Sequence, residues 1–130
     1  MAKMLINVES TKDFEQVVQA VQEKSKENGF GVMSVHEVHK ILESKGMPIS
    51  YKCTIVEICQ PKAASQVLSK KPEVSTAMPC RISVYEQDGK VVLSTIAPTE
   101  LLKLYQADEF KELAEEVENT IKKIMEEAAK

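Results

Sequence analysis

From Ala2 to Glu9 apolar and polar side chains take turns, the two-residue rhythm of a strand. Ser10 follows where a helix N-cap belongs, with Asp13 three positions on as a short capping-box partner. Phe14, Val17, Val18 and Val21 then fall at i, i+3, i+4 and i+7, one apolar stripe on a helix. Asn28-Gly29 stops that helix, because both residues tolerate the left-handed conformation of a C-cap. Phe30 to Met33 reads as a second strand, and a short helix from Val35 to Lys45 ends at Gly46, with Pro48 enforcing the break. Tyr51 to Cys59, dense in β-branched residues, is a third strand. Pro61 suits the first turn of a helix over Ala63 to Leu68, where its missing N–H has no partner to lose.

A loop runs to Pro79, and then Cys80 to Glu86 and Lys90 to Ile96 flank Asp88-Gly89. That dipeptide marks a hairpin, since a type I′ turn needs positive φ at both positions. Taking it as the turn sets Val84 against Leu93, Glu86 against Val91 and Ile82 against Thr95 on one face. Tyr85 with Val92, Ser83 with Ser94 and Arg81 with Ile96 share the other. The first face is the more aliphatic and should meet the helices; the second is amphipathic, the character of a surface that contacts another chain or a ligand. The rest is helical from Thr99 to Ala128, with an interruption expected at Gln106-Ala107-Asp108. Its seam of Phe110, Leu113, Val117, Ile121 and Ile124 is supported by the pair Glu118 and Lys122. The stripes and the register predict a core of Phe14, Val17, Val21, Val84, Leu93, Phe110, Leu113, Val117 and Ile121.

Composition narrows the class. A chain of 130 residues fits one domain spanning 1–130, and 43% hydrophobic with 28% charged residues is ordinary globular content. The net charge of −3 supplies no global positive field, which argues against nucleic acid and anionic membranes. No stretch approaches the roughly 20 apolar residues of a membrane span, and Glu9 arrives too early for a signal peptide. A cytoplasmic setting follows, and an odd count of three cysteines agrees with it.

Gly29-Phe30-Gly31-Val32 followed by Glu37, then Ile58-Cys59-Gln60-Pro61, Met78-Pro79-Cys80 and Ile96-Ala97-Pro98, come in an order and spacing that resemble a known pattern. The chain resembles the bacterial and archaeal domain-of-unknown-function family three hundred and two, over residues 3 to 125. The resemblance implies an α+β fold like that of the TATA-binding protein: a curved antiparallel sheet, a long C-terminal helix packed on it, and a homodimer. It implies no established activity. Gln60 stands where that family usually has Asn, and Ala97 where it has Asp, so a ligand held by either group in relatives is in question here.

Two constellations carry chemistry. Cys59 closes the third strand at the opening of the helix begun by Pro61, where dipole and free N–H groups favour a thiolate. Cys80 opens the fourth strand, so antiparallel pairing brings the two together and parallel pairing separates them. They would form a catalytic or sulfur-handling thiol centre, or pack as small hydrophobes, the commoner fate of free cysteines. Cys53, about 20 Å along the same strand from Cys59, is a packing residue. His36 and His39, at i,i+3 on the short helix, could ligate zinc or another divalent ion, but spacing supplies no third ligand and a solvated pair is the commoner outcome. Lys62, Lys70, Lys71 and Arg81 could form a modest anion site or a solvated face. The first expectation is a domain that binds a small molecule or partner without catalysis. The alternative is a thiol- or metal-dependent redox or sulfur-handling protein centred on Cys59 and Cys80, and nucleic-acid binding comes last.

Overall fold

The computed structural model describes residues 4–130. Its five strands are β1 (Leu5–Ser10), β2 (Gly31–Glu37), β3 (Cys53–Cys59), β4 (Cys80–Gln87) and β5 (Lys90–Ile96). They form one open antiparallel sheet in the order β1-β5-β4-β3-β2. Ala2 and Lys3 of the expected first strand lie outside the described residues. The β4–β5 hairpin turns at Asp88 (φ 52°) and Gly89 (φ 77°), the conformation only such a dipeptide reaches cheaply. Its ladder pairs Val84 with Leu93, Tyr85 with Val92 and Ser83 with Ser94, the register projected from the turn. The ladder stops there, short of the expected Ile82–Thr95 and Arg81–Ile96 pairs; instead the Thr95 hydroxyl donates to the Arg81 carbonyl at 2.6 Å.

The helices α1 (Phe14–Glu27) and α5 (Lys111–Ala129) lie side by side on one face of the sheet. The face is fixed by alternation: in β3, Thr54, Val56 and Ile58 are buried while Cys53, Ile55, Glu57 and Cys59 between them are half-buried. Val17, Val21, Val84, Leu93, Ile121 and Ile124 meet there with no exposed surface. Each such side chain contributes about 1.5–3 kcal/mol by leaving water. Phe14 and Phe110 are buried as expected, but Leu113 and Val117 are only half-buried.

Several boundaries differ from expectation. Ser10 is not an N-cap; it ends β1, buried, and its hydroxyl donates to the Ala129 carbonyl at 2.7 Å and accepts the Lys12 N–H. Asp13 takes the cap position of α1 without a side-chain bond. β2 runs on through His36 and Glu37, with a bulge between Val32 and Ser34, so α2 (Val38–Ser44) begins three residues later than the helix expected from Val35. α3 (Pro61–Lys70) is longer than expected, and a 3-10 helix (Pro72–Ala77) replaces the loop. The terminal helix is broken into α4 (Pro98–Leu104), a short 3-10 turn and α5, with Gln106 at φ 51° turning the chain at the expected interruption. Among the described residues no helix is long and apolar enough to cross a membrane.

Among the described residues no helix covers the sheet's other face. Tyr85 lies along it, opposite Val92, with its hydroxyl on the Ser94 Oγ at 2.9 Å, and Val92 and Ser94 are buried as a result. Arg81 Nε donates to Glu57 Oε2 at 3.0 Å, and Lys90 meets Glu9 at 3.2 Å.

Candidate functional site

Where β3 ends and β4 begins, α3, the 3-10 helix and α4 arch over the sheet and build a second apolar cluster of Val67, Val74, Ala107 and Phe110. Between that cluster and the main core lies a cavity of about 90 Å³, with Phe30, Ile58 and Cys80 on the sheet side. Its origin can be read in the side chains. Ala63 and Ala64 of α3, Ala77 of the 3-10 helix and Ala114 of α5 all border it, and their side chains end at Cβ. Leu113 and Val117 border it too, which is why two residues expected in the core keep partial exposure.

Polar groups at the cavity are few, and two serve as struts. Gln60 Oε1 accepts the Ala63 N–H at 2.5 Å and caps α3. Tyr105 Oη meets Thr76 Oγ1 at 2.6 Å, tying the end of α4 to the 3-10 helix. The remaining two are thiols.

Antiparallel pairing of β3 with β4 sets Cys80 opposite Ile58, and Cys59 follows one residue on, opposite Gly31 at the end of β2. Of the two alternatives the antiparallel one holds, so the two strand ends lie together, and both cysteines border the cavity. Burial, and secondarily the neighbouring Cys59, pushes the Cys80 thiol up to about 11. That shift favours the uncharged thiol at neutral pH, on a side chain that is half-buried. Cys53 sits at the other end of β3 with its Sγ 3.9 Å from Ser83 Oγ, a packing position. All three cysteines are free.

The expected metal pair is not assembled. His36 belongs to β2 and His39 to α2, so helical i,i+3 spacing does not apply. His36 Nε2 lies 3.1 Å from Glu57 Oε1, while His39 Nδ1 accepts the Cys53 N–H at 3.1 Å and its ring meets Phe14 edge-on. Among the described residues no three His, Cys, Asp or Glu side chains gather to hold zinc or another ion. The hydrogen bond from His36, and after it that from Arg81, holds the Glu57 carboxyl below its usual range. Arg81 is thereby drawn away from the anion site imagined with Lys62, Lys70 and Lys71.

The alanines and Tyr105 are not marked in the sequence, because they come together only in the packed fold.

Helices on one face of an open antiparallel sheet, with a small apolar cavity at one end, define an α+β domain. The family model of Domain of unknown function DUF302 matches residues 6–128, and the chain belongs to that family. It is similar to the crystal structure of an uncharacterized conserved protein DUF302 from Bacillus stearothermophilus, with a TM-score of 0.92 and 26% identity. That likeness covers 99% of this chain and 100% of the other. No curated protein matches the chain.

Proposed function

We propose that the protein binds a small apolar group in the cavity beneath α3, without catalysis of its own. The observation that carries this reading is an apolar space of about 90 Å³ with four alanines in its lining. It is smaller than the engineered cavity of about 150 Å³ that takes benzene, so the group is smaller than a benzene ring. A neutral Cys80 speaks for a lining role and against a thiol nucleophile. Xenon under pressure, followed by NMR, tests the reading. The methyl signals of Val67, Val74 and Leu101 are expected to shift saturably, and Ala64→Leu to abolish the shift. Methyls that respond only linearly, as surface methyls do, would sink it.

The helix-free sheet face is assigned in the same proposal to a second copy of the chain. Tyr85 and Ile55 are half-buried there and Leu5 and Ile96 exposed, while Arg81 and Lys90 are each matched by a carboxylate. That matching speaks against nucleic acid on the face. Three free thiols favour a reducing, cytoplasmic setting. Light scattering at micromolar concentration should give twice the 14.5 kDa chain mass; a clean single-chain mass rules the dimer out.

A further inference from the structure

The cavity has a polar neighbour. A second depression, of about 300 Å³, runs along the outside of α3 and α5 and shares Phe30, Gln60, Ala63, Leu113 and Val117 with it. Its remaining lining is polar: Asn28, Lys62, Gln66, Glu116 and Thr120. Gln60 thus borders both spaces, with its Oε1 used in capping α3 and its Nε2 left to donate. Asn28 Nδ2 is bonded to the Lys24 carbonyl at 2.8 Å, which leaves its Oδ1 to accept. Thr120 donates to the Glu116 carbonyl at 3.0 Å and keeps its lone pairs. Among the described residues no hydrogen bond engages the Gln66 amide, so it can both donate and accept.

The groove therefore offers donors and acceptors together. Its single lysine and single glutamate, both exposed, cancel in charge. A carboxylate or ammonium head would leave behind hydration that such a lining does not replace, whereas a neutral group with one donor and one or two acceptors is matched in full. Resting on the cavity reading above, we infer that the ligand is a short-chain amphiphile with an uncharged hydrogen-bonding head, an alcohol or a primary amide. The chain enters the cavity past Leu113, and the head stays in the groove among Gln60, Gln66, Asn28 and Thr120.

Titration of the isotope-labelled protein with 1-propanol, 1-butanol, butyramide, butyrate and butylammonium, beside xenon as the purely apolar probe, tests this. Affinity is expected to rise about fourfold for each methylene added to the alcohol until the cavity is full. Butanol and butyramide should move the side-chain amide signals of Gln60 and Gln66, and the two ions should bind about tenfold more weakly. Gln66→Leu, at an exposed position of α3, should cut butanol affinity about three- to tenfold while the rest of the spectrum stays in place. If xenon enters but either ion binds as well as butanol, or the amide signals stay still, the inference about the head fails and the cavity reading stands. If xenon does not enter, both fall.

Discussion

Raising the pH from about 8 to about 11 puts the burial of Cys80 to a quantitative test. The thiol ordinarily ionises near 9.0, and the fold raises that to about 11, first by desolvation and then through Cys59. Below the ordinary value both folded and unfolded chains keep the proton, and the group has no effect on stability. Between the two values the unfolded chain has released a proton that the native state still holds, so stability falls as pH rises through this window. Two pH units correspond to about 2.7 kcal/mol at roughly 1.36 kcal/mol each. Other side chains also change charge at alkaline pH, so the informative quantity is a difference. Urea unfolding at both pH values should show the native protein losing about 2–3 kcal/mol more than Cys80→Ala. Alkylation gives a second reading: near pH 8 the thiolate fraction of Cys80 is about a hundredfold below that of an ordinary thiol, and iodoacetamide should label it that much more slowly. Equal losses for the two proteins, within about 0.5 kcal/mol, or labelling at the rate of an unfolded peptide, would refute the argument.

Leu93→Ala should cost about 2–5 kcal/mol in urea unfolding, because the side chain is fully enclosed in the main core; a loss near zero would mean the β4–β5 register is off by one. Gln60→Ala removes the side-chain cap of α3 and should cost about 0.5–2 kcal/mol. Amide exchange should accelerate first within Pro61–Lys70, and unchanged protection there would contradict the capping role. Glu57, its carboxyl held low chiefly by His36 and then by Arg81, adds stability above its ordinary pKa that is lost as the pH falls below it. Glu57→Gln should flatten that acid limb, and a limb of unchanged slope would place the acid sensitivity elsewhere.

The hairpin and the helix stripes were legible because each is encoded locally. Asp88-Gly89 sets a register through two backbone angles, and Phe14 to Val21 repeats at the helical period. The end of β2 was not. Val35-His36-Glu37 is compatible with a helix taken alone, and its pairing with Val56, Ile55 and Thr54 of β3 decides it for the strand. The helical spacing that suggested a histidine pair went with that segment, since His36 lies in β2 and His39 in α2. Ser10 misled for a similar reason: its hydroxyl serves a carbonyl at the far end of the chain, which no local pattern announces. The thiol centre was half legible. Strand order brought Cys59 and Cys80 to one place, but burial, which local spacing does not reveal, left Cys80 uncharged. The cavity is the product of what is missing from four alanines, and absence at separated positions acquires meaning only once the helices are packed.

The pairing of β1 with β5 has a consequence for how the protein is made. Ser10 pairs with Val91 and Ile6 with Thr95, and β1 has no other strand beside it. A ribosome adding about 5–20 residues per second needs about 4–16 s to travel from Ser10 to Val91. Through that interval the first strand waits without its partner, and the carbonyl that receives the Ser10 hydroxyl, on Ala129, emerges later still. The β2–β3–β4 portion can assemble early, but the sheet is complete only once the fifth strand has been made and the first has paired with it.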